Sequence, residues 1–337
     1  MPGPRVTLVI PTLFGGESLT RCVAALRAQT FTDFETVIVD NSGQDVTARV
    51  PEAQTVRVMK NATNVGYGAA INQAIRGSEA EFVAALNDDA YPSPDWLRSL
   101  VAACEEDERA GMCASRIRLA SDPNRLDSAG LSIYGDGTTK QRGHRSEAEN
   151  YDGPEEVLLP SGCAALFRRA MLRDVGGFDE DYFLYAEESD LGLRARLRGW
   201  SCVYVPGAVV DHDYSASSGR ASRMKAFYVE RNRLYTVVKN FPLFLWLLVP
   251  WYSLWRYTQH ALALVRGRGL ASEFPDDGGG AWQLGMVVLS AHVTTFKALP
   301  SLLRKRRLIQ RAKTLTGWSF CRLLKRHWVS AAEIARQ

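Results

Sequence analysis

What this sequence lacks narrows its class before any motif is read. Its six cysteines (Cys22, Cys104, Cys113, Cys163, Cys202 and Cys321) include no CxxC pair. Their spacing suits neither a zinc ribbon nor a disulfide framework, so a reducing compartment is expected. The N-terminal MPGPRVTLVIPT carries no long apolar core, which predicts a catalytic part that is not exported. No internal repeat and no low-complexity tract is visible, and 23% charged residues exclude a disordered chain or a fibre. Acid is also scarce in one region. Residues 231–337 hold 17 basic and 4 acidic side chains, net +13, whereas residues 1–230 hold 24 and 33, net −9. Opposite charge suggests separate tasks, so a domain over 1–230 and a basic, apolar region over 231–337 are expected.

What is present is a series of short apolar runs alternating with helical patterns. RVTLVIPT (5–12), FETVIVD (34–40), TVRVMK (55–60) and EFVAALND (81–88) read as strands. Helices are expected after residue 15, over 67–76 and over 93–107. A mixed stretch over 111–160 precedes a strand over 156–168, a helix beginning AEESDLGLR and a strand in CVYVPGAVVDHD. This order predicts an α/β fold with a mostly parallel sheet flanked by helices. Ligands bind such sheets at the carboxyl ends of strands. Polar residues fall at those ends: Pro11 and Thr12, Asp40, Asn64, and Asn87-Asp88-Asp89.

Four constellations carry chemistry. In LNDDA, Asp88 and Asp89 are adjacent carboxylates, and a hard divalent cation, Mg²⁺ or Mn²⁺, resolves their repulsion. The plain alternative is a solvated turn. Glu187, Glu188 and Asp190 open a helix, where acid is favoured electrostatically. One of them aimed into a cleft would serve as a general base. His212, flanked by Asp211 and Asp213, ends a strand and is a candidate second metal ligand, although lone histidines are more often structural. In NVGYGAAINQA, Gly66 and Gly68 precede a helix whose N-terminus could receive phosphate. That segment is neither a P-loop nor a GxGxxG, and an ordinary strand-to-helix turn explains it as well.

Taken in order, VTLVIPT, VIVDNSG, NVGYGAAIN, LNDDA, GGFDEDYFLYAEESDLGLR and VYVPGAVVDHDYSASSG resemble the family 2 glycosyltransferases of the GT-A fold. The likeness is to the rhamnosyltransferase-like and galactofuranosyltransferase-like bacterial members and covers roughly residues 5–240. It implies that Asn87-Asp88-Asp89 stands where the family has its DxD motif. Asp89 would bind metal with Asp88 in support, and Asn87 departs from the pattern. By the same likeness His212 completes the metal site and Glu188 is the catalytic base, with Glu187 beside it. Asp40 meets the nucleobase, and Pro11, Thr12, Asn64 and Gly66 line the nucleotide pocket. Asp190 and Arg194 position the helix. The implied reaction is an inverting transfer from a dTDP- or UDP-linked sugar, rhamnose foremost, to a hydroxyl of a polyprenyl-linked glycan in cell-surface polysaccharide synthesis. Three other readings compete. A nucleotidyltransferase should show a basic Gly-rich loop after the first strand, and TLFGGES has no basic residue. A non-catalytic nucleotide-sugar-binding module would have no use for the acidic and histidine cluster. A processive synthase would need several spans and a QxxRW signature, and RLRGW is only superficially similar.

The basic region completes the expectation. Residues 243–265 are long enough to consider a span, but Pro250 and Arg256 interrupt them, and Trp246, Trp251 and Trp255 suit a membrane–water interface. An interfacial or re-entrant helical pair is expected. Arg304-Lys305-Arg306-Arg307, with Trp318, Phe320 and Trp328 further on, favours an anionic membrane surface over nucleic acid. The cytoplasmic face of the cell membrane is the expected location.

Overall fold

The structure is a computed structural model and describes residues 3–51, 53, 56–213, 222–266 and 280–336. Thr55, Gly278 and Gly279, and the Tyr214–Gly219 end of the last motif, lie outside the described residues. The chain divides into two compact units, Met1–Leu131 with Gln141–Ser217, and Ser132–Lys140 with Ser218–Gln337.

The first unit runs β1 (Val6–Thr12), α1 (Gly16–Arg27), β2 (Phe34–Asp40), β3 (Arg57–Lys60), α2 (Tyr67–Arg76), β4 (Phe82–Leu86) and β5 (Ala90–Pro92). Then come α3 (Trp96–Glu106), β6 (Ala110–Leu119) and β7 (Asp122–Ser128). Short strands β8 (Leu131–Ile133) and β9 (Thr139–Gln141) mark where the chain leaves and re-enters this unit. It ends with β10 (Glu155–Glu156), β11 (Ala164–Arg168), α4 (Arg169–Val175), α5 (Glu187–Leu197) and β12 (Ser201–His212). The strand expected over 156–168 is shorter than its apolar run, because Pro160 has no N–H for a ladder.

The sheet order is β10-β12-β6-β11-β4-β1-β2-β3, with β5 on β12 and β7 on β6. β1, β2, β3 and β4 are parallel, as are β6 and β12, and β11 runs antiparallel to both β4 and β6. The carboxyl ends of β1, β2, β4, β6 and β12 therefore share one edge with the amino end of β11. Alternation along the strands fills two cores. Leu8, Ile10 and Ile38 pack with Leu19 and Val23 of α1 and Leu97 and Leu100 of α3. Val9, Val37 and Val39 pack with Ile71 and Ala74 of α2 and Leu191 and Ala195 of α5. Burial on both faces is what near-continuous apolar strands require.

The second unit is helical: α6 (Arg223–Asn240), α7 (Leu243–Trp246), α8 (Val249–Val265), α9 (Gly280–Ala312), α10 (Gly317–Arg326) and α11 (Ala331–Arg336). The expected boundary near 231 falls inside α6. Arg306 of α9 donates to the carbonyls of Val238 and Phe241 at 2.8 and 2.7 Å, satisfying the C-terminal end of α6. Asp136 is fully buried and accepts from Arg256 at 2.7 Å, and Arg256 also meets Glu230 at 2.9 Å.

The apolar stretch 243–265 forms two helices rather than one, breaking before Val249 with Pro250 in the first turn of α8. The 17 residues of α8 span only about 26 Å, short of a hydrocarbon core of about 30 Å. Among the described residues, Trp282–Ala312 is the one helix long and apolar enough to cross a membrane, and most of it is exposed. Trp251 and Trp255 are exposed, but Trp246 lies under the Arg306 guanidinium. Trp318 is exposed, whereas Phe320 is buried against Phe241 and Trp328 packs on Tyr134 and Tyr252.

Candidate active site

The start of β11 organises the polar residues at the shared edge. Asn87 N–H donates to the Cys163 carbonyl at 2.8 Å, tying the end of β4 to residues 161–163. Asp213 N–H donates to the Asp89 carbonyl at 3.0 Å, tying in the end of β12. A Cβ on Gly162 would lie 3.8 Å from Glu188 Cβ and 3.7 Å from the Tyr67 hydroxyl. Tyr67 donates that hydroxyl to the Gly162 carbonyl. Asn87, Asp88, Asp89, His212 and Glu188 are thus gathered by a segment the sequence does not mark as functional.

His212 sits between two carboxylates. Nε2 is 3.2 Å from Asp89 Oδ1, and Nδ1 is 2.9 Å from Asp127 Oδ2. All three side chains are buried. Burial opposes an imidazolium, but Cys163, Asp127 and Asp89 outweigh it and raise the His212 pKa well above the usual histidine value. Burial also pushes Asp127 up, and hydrogen bonds from His144 and His212 overcome this, holding it at about 2. Asp127 lies on β7 and was not among the expected site residues.

Asp88 accepts from the Thr12 hydroxyl at 2.6 Å, and Thr12 in turn accepts from Gly15 N–H at 3.1 Å. Burial raises Asp88 to about 6, with the neighbouring Asp89 acting in the same direction. Pro11 stands one residue before Thr12 on β1, in register with Val39.

Glu187 and Glu188 open α5 beside β11. Glu187 is buried with an unpartnered Oε2, and Glu188 is half-buried. Desolvation raises both carboxyls, Glu188 to about 7. The backbone entering them is strained, since Phe183, Tyr185 and Ala186 all have positive φ, near 65°. Such strain in non-glycine residues concentrates at functional sites. Asp190 is fully buried and pairs with Arg194 at 2.8 Å. Arg194 also donates to the Val175 and Gly177 carbonyls, so this pair anchors α5.

Three expected pocket residues are held by local contacts. The Asp40 carboxylate accepts from Ser42 N–H and Oγ and from Thr47 N–H and Oγ1. The residue is 1% exposed and shapes the loop after β2. The N-terminus of α2 is likewise taken. Asn64 Oδ1 accepts from Gly66 N–H at 2.8 Å, and the Phe183 carbonyl accepts from Tyr67 N–H at 2.8 Å. At Gly66, φ is +89° and a Cβ would lie 2.3 Å from the Phe183 carbonyl oxygen. Asn64 and Gly66 therefore lock this turn against the segment leading to Glu188.

Asp89 and His212, paired at 3.2 Å, are of the residue types that ligate divalent cations. Asp127 on Nδ1 is the carboxylate–histidine arrangement that aims Nε2 at a metal. Among the described residues no cluster of three or more such side chains could hold a metal. Ligand oxygens would have to complete the shell, as is usual for Mg²⁺ with phosphates.

The sequence profile described as Glycosyl transferase family 2 matches residues 7–176. The chain is 31% identical over 251 residues to the N-acetylglucosaminyl-diphospho-decaprenol L-rhamnosyltransferase of Mycobacterium tuberculosis (strain CDC 1551 / Oshkosh), covering 66% of this chain and 80% of the relative. In structure it is similar to GalNAc-T7 solved with UDP, GalNAc and Mn²⁺, with TM-score 0.57 and 15% identity. That match covers 70% of this chain and 48% of the other, about half its length. It is also similar to the mannosyltransferase PcManGT of Pyrobaculum calidifontis in complex with GDP-Man and Mn²⁺. There the TM-score is 0.50 with 18% identity, over 96% of this chain and 79% of the other. Both likenesses are of fold.

Proposed function

We propose that this chain, which belongs to glycosyl transferase family 2, is an inverting rhamnosyltransferase acting on a polyprenyl-linked glycan. The donor is a dTDP- or UDP-linked sugar, and the product enters cell-surface polysaccharide synthesis at the cytoplasmic face of the membrane. The observation that carries the reading is the Asp127–His212–Asp89 series at the edge where Glu188 also lies. It combines an electrophilic-assistance site with a base, which a non-catalytic binding module does not need. A nucleotidyltransferase shares such a sheet, but the 31% identical relative is named for sugar transfer.

Asp89 and His212 would hold Mg²⁺ or Mn²⁺, with Asp88 and Asn87 beside them. The ion supplies positive charge against the departing diphosphate. Glu188 accepts the proton of the acceptor hydroxyl as that oxygen attacks the anomeric carbon. One displacement inverts the centre. A half-buried carboxyl near pKa 7 suits this task, because it is basic enough to take the proton and largely ionised just above neutrality. Burial and the neighbouring Glu188 raise the Glu187 carboxyl, which disfavours a second charge beside the base. Thr12 fixes Asp88, and Asp40, Asn64 and Gly66 hold the loops that frame the donor pocket.

A donor screen that reads released nucleoside diphosphate, with and without Mg²⁺ and a polyprenyl-linked acceptor, tests the reading. Acceptor- and metal-dependent release from dTDP-rhamnose is expected. Release from no nucleotide sugar would overturn it.

A further inference from the structure

The helical unit carries a groove that the reaction at the sheet edge does not use. Pro242, Leu243 and Phe244 form one wall, and Leu303 faces them from α9. Gly317 closes the end, where a Cβ would come within 3.0 Å of the Phe244 ring. The cavity is about 790 Å³, within the range of roughly 300–1,000 Å³ usual for ligand pockets. Leu243 and Phe244 are exposed, and Trp318 leans on Phe244 at 5.8 Å between ring centroids while remaining 77% exposed.

The groove's polar residues divide by what they do. Arg306 is buried and spends its donors on the carbonyls of Val238 and Phe241. Gln310 donates to the Lys239 and Asn240 carbonyls. These two close the end of α6. Arg307 is exposed, and Lys313, half-buried, donates to Gln310 Oε1 at 2.8 Å. Both line the groove and bring positive charge to an otherwise apolar trough. An apolar trough with two cations matches a ligand with a long hydrocarbon and an anionic end. A free sugar has no hydrocarbon to cover such a trough.

Resting on the reading of a lipid-linked acceptor, we propose that this groove takes the first prenyl units of a polyprenyl diphosphate and that Arg307 and Lys313 bind its diphosphate.

The test uses the full chain and phosphatidylcholine vesicles containing undecaprenyl diphosphate. Control vesicles carry the same charge as phosphatidylglycerol. The probe has no sugar, so the readout does not depend on turnover. The full chain should bind the diphosphate vesicles more tightly than the controls. Replacing both Arg307→Gln and Lys313→Gln should cut that affinity on the order of tenfold. Leu303→Trp, which fills the groove and leaves both cations, should abolish the preference as well. Unchanged thermal melting shows that the variants fold. Equal binding to both vesicle types by the unaltered chain would overturn the proposal by reducing the attraction to surface charge. Undiminished preference in both variants would overturn it too. Failure of transfer to every polyprenyl-linked sugar, with the preference intact, would sink the functional reading and leave this one standing.

Discussion

His212 Nδ1 lies 2.9 Å from Asp127 Oδ2, and this places the opposite ring nitrogen 3.2 Å from Asp89. The two residues are 85 positions apart and come from β7 and β12, which pair with β6 antiparallel and parallel respectively. Asp127 thereby fixes the orientation of a candidate metal ligand. Asp127→Asn should weaken Mn²⁺ affinity by about 10–100-fold, as loss of such an outer carboxylate commonly does. His212→Ala should raise the metal requirement of transfer at least as much. Metal titrations of the purified variants decide this, and unchanged midpoints in both would remove His212 from the metal site.

Glu188 gives the reaction a pH dependence. Burial places its carboxyl at about 7, and a base must be ionised to act. kcat/KM should therefore climb with pH below about 7 and level off above it. A flat profile between pH 5 and 9 would argue against a base of this character. Glu188→Gln should lower kcat by about 10²–10⁴-fold and leave donor affinity near that of the unaltered chain, read by titration of a non-hydrolysed donor analogue.

The turn at Gly66 should tolerate no side chain. Alanine there combines a φ of +89° with a Cβ 2.3 Å from the Phe183 carbonyl oxygen. Gly66→Ala should cost about 1–3 kcal/mol of stability in a denaturant titration. It should also reduce kcat, because the displaced segment leads directly into Glu187 and Glu188. A stable variant with full activity would show that this contact positions nothing.

The helical unit should be acid-sensitive. Burial works against the Asp136 and Glu230 carboxylates, but Arg233 and Arg256 outweigh it and hold both below their ordinary pKa values. At acid pH the unfolded chain then binds more protons than the folded one. The stabilisation is complete above about pH 4.5 and declines as pH falls towards the native values. Asp136→Asn should cost about 3–5 kcal/mol at neutral pH by leaving buried arginines under-compensated. It should also flatten the acid limb of urea-midpoint measurements, and an unchanged limb would show that Asp136 is not its source.

Much of the sheet was legible because its strands are short, apolar and bracketed. FETVIVD forms a strand over the expected residues, and the helix over 67–76 ends where Gly66 and Gly77 stop it. Asp88, Asp89, Glu188 and His212 stood out as candidates because each lies within two residues of an apolar run. Asp127 could not. DPNRLDS has no clean alternation and opens with Asp-Pro, so it reads as a loop until β6 supplies a pairing edge. The local partners of Asp40 were hidden for a related reason. A carboxylate at a strand end suggests a ligand, but Ser42 and Thr47 satisfy it locally, and local hydrogen bonding is not written in hydropathy. In the basic region, charge and aromatic count were visible from sequence. Which of them face water was decided by packing, as Arg306 and Phe320 show.

Anionic-membrane binding should follow from the surface that remains exposed. Trp251, Trp255 and Trp318 are accessible, as are Arg304 and Arg307. Flotation of the full chain with phosphatidylglycerol vesicles should fall as salt is raised, and should fall again on changing Trp251 and Trp318 to glutamate. Association unaffected by either change would place the membrane contact elsewhere.

The most direct test of the central claim is the anomeric configuration of the product. The full chain is incubated with dTDP-rhamnose, Mn²⁺ and polyprenyl-diphospho-N-acetylglucosamine, and the glycolipid is examined by NMR. The account predicts one added rhamnose whose anomeric centre is inverted relative to the donor. A product that retains the donor configuration, or nucleoside diphosphate released with no sugar on the lipid, would contradict a single displacement assisted by Glu188.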